Sequence, residues 1–303
     1  MSLLGKVTTG KVKAPYRLLV WGTAGVGKTT LAAQAPAPIF LPVEEGCNNL
    51  DVARLPQPQN WGDVLSSIQA LTTERHEFKT LIIDTLNAAE PMVWSTVIAA
   101  ANGSRGAGKV TSIEQVGGGY GKGYVAAVDE WRLMTAMLEK LQRDRGMNVI
   151  MLAHPTDPKE FKNPEGDNFD VWKIAMHPSA AGFLVGWSED VLFARWEVLV
   201  ATEDKKPSKG ISTGRRIVQT QENGPWRAKN RHGMPPVLPL SWPVLAAYLD
   251  GASPGDMKAR IGCALNSITS AEIKKAAEEA LTAAGDDIAK LALVEQRITK
   301  KRS

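Results

Sequence analysis

The stretch GTAGVGKTT, Gly22 to Thr30, sets glycines, a lysine and threonines at the spacing G-x-x-x-x-G-K-T. Glycines at such positions let backbone N–H groups turn inward and converge on phosphate oxygens. A lysine following them neutralises β- and γ-phosphate charge, and the next hydroxyl is a magnesium ligand. The expected nucleotide contacts are therefore Gly22, Thr23, Ala24, Gly25, Val26, Gly27, Lys28, Thr29 and Thr30, with ATP and Mg2+ as cofactors. Two other Gly-Lys clusters, GSRGAGKV and GGGYGKGY, lack a preceding strand, and neither lysine precedes Ser or Thr. They are not phosphate loops.

Further chemistry needs acids and cations brought to the same place. TLIIDT ends in Asp84, the expected partner of Thr29 in holding the metal. Hydrolysis also needs a group that orients and deprotonates water. The residues after Asp84 are Thr85, Leu86 and Asn87, so the base must come from elsewhere, and IFLPVEEG supplies Glu44 and Glu45. NVIMLAH delivers His154 to a strand end, where it can sense a γ-phosphate by hydrogen bonding. Far downstream, PWRAKNRHGMPP sets Arg227, Lys229 and Arg231 at alternate positions, which in a strand project from one face.

The elements that must position these residues alternate along the chain. Short apolar runs begin at YRLLVWG and recur at PIFLPVEE, TLIIDT, NVIMLAH and DVLFARWEVLV, with helix-period segments between them. That order predicts a doubly wound, mostly parallel sheet. Past Asp190, Gly and Asn-Gly turn signals predict hairpin material. An N-terminal arm (1–15), a core (16–250) and a helical, basic-tailed C-terminal segment (254–303) are the expected divisions.

Composition narrows the field little further. A chain of 303 residues with 44% hydrophobic and 22% charged residues is ordinary for a globular protein, and a net charge of +4 permits a polyanionic partner without requiring one. No apolar run reaches the ~20 residues of a membrane span. Cys47 and Cys263 lie far apart and form no metal-ligand spacing, so a reducing cytoplasm is expected.

Taken together, GTAGVGKTT, PVEEG, Asp84-Thr85, His154 and AKNRHG resemble the RecA-like ATPase family, in particular the small phage recombination and single-strand annealing ATPases. The resemblance covers roughly 16–242 and rests on those short motifs. It implies that Glu44, with Glu45 as second choice, is the catalytic base, that Lys28 and His154 act on the γ-phosphate, and that Lys229 and Arg231 reach the nucleotide of a neighbouring subunit. His232 stands where the family's Lys-Asn-Arg-Phe-Gly segment has an aromatic residue, and Pro42-Val43 replaces the acid expected before the glutamates. Cations acting in trans imply a homo-oligomeric filament or ring.

The same resemblance implies two DNA-contacting loops. The first, about 104–124, carries Arg105, Lys109, Tyr120, Lys122 and Tyr124. The second, about 155–178, carries Lys159, Phe161 and Lys162 among several acids that offset its charge. Cations track a phosphate backbone and rings stack on bases without reading sequence. The expected activity is a DNA-stimulated ATPase that binds single-stranded DNA and promotes annealing or strand pairing, with a single-strand-binding protein as a further partner. A RecA-fold helicase or helicase loader, and a nucleotide-dependent interaction switch without DNA binding, are the rival expectations.

Overall fold

The computed structural model describes residues 3–10, 12–103, 109–163, 167–201, 209–266, 268 and 270–300. Its central strands are buried along nearly their whole length and send alternate residues to two different cores. In β1 (Arg17–Gly22), Leu18 and Val20 enter one apolar core while Leu19 and Trp21 enter another. The same alternation holds in β2 (Pro38–Pro42), β4 (Thr80–Asp84) and β5 (Asn148–Ala153). Successive side chains of a strand point to opposite faces, so a sheet apolar on both faces must be covered on both.

Helices supply the covers. On one face pack α1 (Lys28–Ala32) and the C-terminal helices α6 (Trp242–Leu249), α7 (Pro254–Leu265), α8 (Ala271–Ala284) and α9 (Ile288–Lys300). On the other pack α2 (Trp61–Thr73), α3 (Leu86–Gly103), α4 (Lys122–Arg145) and α5 (Pro178–Trp187). Met257, Ile261 and Leu291 share a core with Val20, Leu31 and Phe40, so the C-terminal helices are packed on the sheet domain. Ser253 opens α7 with a reciprocal cap, its hydroxyl accepting from the Asp256 N–H while the Asp256 carboxylate accepts from the Ser253 N–H.

The remaining strands are β3 (Ala53–Arg54), β8 (Asp190–Ala201), β9 (Lys209–Gln219) and β10 (Val237–Pro239), and the order across the sheet is β10-β9-β8-β1-β5-β4-β2-β3. From β8 to β3 neighbours run parallel; β8–β9 and β9–β10 are antiparallel. The doubly wound expectation is therefore met, with the hairpin material at one edge. Segment 155–178, expected as a loop, contains a small antiparallel hairpin of β6 (Lys159–Phe161) and β7 (Phe169–Val171), closed by Phe161 against Phe169. Cross-strand ring contact stabilises such a pair, a signal hidden among its many charges. Among the described residues no helix is long and apolar enough to cross a membrane.

Candidate functional site

Register decides what meets at the carboxyl rim of the sheet. Trp21 pairs with Ala153, Pro42 with Asp84, and Asp84 with Leu152, so Gly22, His154, Asp84 and the residues after Pro42 emerge on one edge. In open α/β sheets ligands bind at this edge.

The glycine loop leaves β1 there and enters α1. Gly27, at φ 100°, is the left-handed residue immediately before the helix, a conformation that a side chain opposes. At Gly22 the constraint is space, since a Cβ would stand 1.9 Å from the carbonyl oxygen of Ala194 on β8. The loop is thus wedged against the neighbouring strand, and its lysine is folded inward. Lys28 is 5% exposed and donates to the carbonyls of Gly22 at 2.7 Å and Thr23 at 3.1 Å. Burial pushes its ammonium down to about 8, against the opposing pull of Asp84 and Glu44.

Thr29 donates its hydroxyl to Asp84 Oδ2 at 3.0 Å. Burial raises the Asp84 carboxyl above its ordinary value, and the Thr29 bond works in the opposite direction. Magnesium keeps several waters and takes one or two protein oxygens beside substrate phosphates, so this hydroxyl and buried carboxylate are a fitting donor pair. Thr29 and Asp84 would hold the ion, which would supply positive charge to offset that of the phosphates. Groups of three or more His, Cys, Asp or Glu side chains able to hold a metal on their own are absent among the described residues.

Glu44 and Glu45 part company. Backbone N–H groups of Val43 and Glu44 both donate to the Asp84 carbonyl, pinning the chain after β2 beside β4. Glu44 then reaches inward, its Oε1 3.2 Å from His154 Nε2, and that bond holds its carboxyl below the usual range. Glu45 is exposed and begins a short 3-10 turn, Glu45–Cys47, that leads away. On the far side of the same ring, His154 Nδ1 lies 3.3 Å from Lys28 Nζ. A tautomer with its proton on Nε2 satisfies both contacts: Lys28 donates to Nδ1, and Nε2–H donates to Glu44. Asn87, three residues after Asp84, accepts from the His154 backbone N–H at 2.6 Å and donates to Ala175 O at 2.7 Å. Sequence reasoning passed over Asn87, although its place at the very start of α3, three residues after Asp84, put it at the rim.

The three alternate cations do not share a face. The backbone around Lys229 makes only a single antiparallel bridge, with Val191, because turns crowd it on both sides. Arg227 and Arg231 are exposed, whereas Lys229 Nζ donates to the carbonyls of Val185, Gly186 and Ser188 at the C-terminal end of α5. Unpaired carbonyls and the negative end of the helix dipole gather there. His232 Nδ1 lies 2.5 Å from the fully buried Asp190, which also accepts from the Arg231 N–H.

Of the residues expected on DNA, Lys109, Lys122, Lys159 and Lys162 are exposed, and Tyr120 is entirely so. Tyr124 instead stacks on His177 at 3.8 Å and bonds Glu114 through its hydroxyl. Phe161 lines a cavity of about 510 Å³ with Phe169, Trp172 and Trp226. Arg105 lies outside the described residues.

Chemically, the rim offers a glycine loop with a buried cation, a hydroxyl–carboxylate pair suited to a metal, and a carboxylate held by an imidazole. A family model described as AAA domain matches residues 14–232, most of the chain. No curated protein matches it.

Proposed function

The chain belongs to the AAA-domain family of P-loop ATPases, and from that premise we propose an ATP-hydrolysing, DNA-stimulated enzyme of recombination. It binds single-stranded DNA as a homo-oligomer, with nucleotide held between subunits, and promotes annealing or strand pairing. The observation that carries the hydrolytic part is the convergence of Lys28, Asp84, His154 and Glu44 on one rim. Lys28 takes the terminal phosphate charge, and Glu44 orients and deprotonates the attacking water.

DNA binding is supported by the exposed cations and rings at Lys109 and Tyr120, on the segment between α3 and α4, and at Lys159, Phe161 and Lys162, on the segment that follows His154. Arg231, exposed and two residues from the bridge to β8, is the better placed of the two candidate cations for donation to a neighbour. Such a cation raises hydrolysis by ~10³ or more in related chemistry.

Fluorescence anisotropy of a labelled single-stranded oligonucleotide, with a non-hydrolysable ATP analogue and increasing salt, tests the reading. Nucleotide-dependent binding that weakens steeply with salt is expected. Absence of binding under every nucleotide condition leaves an interaction switch in its place, and processive unwinding with ATP alone would favour a helicase.

A further inference from the structure

Arg216 was not among the residues singled out by sequence, and nothing in the TGRRIV stretch relates it to the glycine loop. It lies on β9, where its Cα pairs with Trp196 of β8 and its carbonyl accepts from the Leu240 N–H. Two residues on, Val218 enters the core that also holds Val26 and Leu31. Alternation therefore sends Arg216 to the same face as α1. There its Nη1 comes within 3.5 Å of Val26 O, a distance too long for a firm hydrogen bond, and 2.6 Å from where a Cβ on Gly27 would stand. The Leu240 side chain lies 3.8 Å from the same point.

Its neighbour provides the contrast. Arg215 is ion-paired with Glu197 at 2.7 Å. Arg216 has no carboxylate partner among the described residues and is exposed. An unneutralised guanidinium is thus held against the outer wall of the phosphate loop by a strand ladder.

Sheet order says which end of a bound nucleotide it meets. The groups that act on the terminal phosphate, His154, Asp84 and Glu44, come from β5, β4 and the end of β2, all on one side of β1. Arg216 comes from β9, on the opposite side of β1, beyond β8. A phosphate chain lying across the loop with its reacting end toward β5 directs its other end toward β9. We propose that Arg216 binds the α-phosphate at the nucleoside end, from within the same subunit, and that Leu240 supplies an apolar contact to the nucleoside beside it. The planar fork of a guanidinium suits phosphate oxygens and is always charged.

The inference rests on the loop's being a nucleotide site, and the test separates the two. Affinities for ATP, ADP and inorganic pyrophosphate are measured by calorimetry, with competition where binding is weak, for wild type, Lys28→Ala, Arg216→Ala and Arg216→Lys. Pyrophosphate fills only the two phosphate positions nearest the lysine. Arg216→Ala is expected to weaken ATP and ADP by about 10- to 100-fold, the range of one lost hydrogen bond to a charged group, and to leave pyrophosphate within about twofold of wild type. Arg216→Lys keeps the charge and recovers part of the loss. Unchanged ATP affinity in Arg216→Ala overturns the proposal. An equal loss of pyrophosphate binding also overturns it, since Arg216 would then be only a prop for the loop. A wild-type protein that binds none of the three refutes the nucleotide site itself, and the role of Arg216 falls with it.

Discussion

The ammonium of Lys28 lies 3.3 Å from Nδ1 of His154, and the opposite nitrogen of that ring lies 3.2 Å from Glu44. One imidazole therefore joins the cation of the phosphate loop to the strand-end carboxylate. Lys28 is otherwise held by two carbonyls of its own loop. A phosphate that drew Lys28 away from His154 would thus alter the ring that also holds Glu44.

That arrangement separates the two glutamates experimentally. Glu44→Gln keeps the hydrogen-bonding shape but removes the base, and is expected to lower ATP turnover by about 100-fold or more while leaving ATP affinity within a few-fold. Glu45→Gln should change neither by more than about twofold, because its side chain is exposed. A coupled phosphate-release assay, with affinity measured separately, distinguishes them. Equal losses in both variants would contradict the assignment.

A second prediction concerns the fit of the loop to β8. Gly22→Ala places a methyl group 1.9 Å from the Ala194 carbonyl oxygen. That contact is with backbone in the last pair of the β1–β8 ladder, Gly22 opposite Ala194, and β8 is held there by its pairing with β9 as well. The expected loss is about 3 kcal/mol or more, read from urea unfolding midpoints. Gly25→Ala has open space around its Cβ and only a positive φ to oppose, so it should cost about 1 kcal/mol.

Most of the fold was legible because the alternation of apolar runs with helical segments is itself the layer order, and because both sheet faces carry apolar residues at every second position. Lys28 and Thr29 were legible from the glycine-loop spacing, and Asp84, His154 and Glu44 for a related reason: each sits at or just past a strand's carboxyl end, and parallel register brings such ends together. Arg216 and Asn87 were not. Arg216 is close to Gly27 only because an antiparallel hairpin returns along β8 with a particular register, and no local pattern encodes that return. The stretch around Lys229 misled in the opposite sense. Alternate cations project together only in a continuous strand, and here Pro225, Gly233 and Pro235 confine the extended backbone to one bridge.

A pH-dependent contribution to stability follows from His232. Its hydrogen bond to the buried carboxylate of Asp190 raises its pKa above the ordinary 6.5, although its own burial opposes this. A histidine whose folded value exceeds its unfolded value stabilises most below the unfolded value, and that stabilisation disappears as pH rises through the folded value. The urea midpoint is therefore expected to fall as pH climbs from about 6.5 through that raised value. His232→Gln should flatten that part of the profile by removing the titrating group. A wild-type midpoint that rises over the same interval would refute the pairing.

Lys229 and Arg231 differ in how cleanly they can be tested. Lys229→Ala leaves the α5 carbonyls of Val185 and Gly186, and Ser188 O beyond them, without their cation. It should cost about 1–2 kcal/mol in unfolding experiments, whether or not the residue also touches a nucleotide. Loss of turnover in that variant is consequently ambiguous. Arg231→Ala removes an exposed side chain and should leave stability within about 0.5 kcal/mol, so its turnover reports on donation alone. The decisive measurement mixes Arg231→Ala subunits, whose loops are intact, with Lys28→Ala subunits, whose Arg231 is intact. If a cation is supplied across the interface, the mixture regains turnover that neither variant has alone, because an intact loop then meets an intact neighbour. If Arg231 serves its own subunit, no mixing ratio restores activity, since every subunit still lacks one of the two cations.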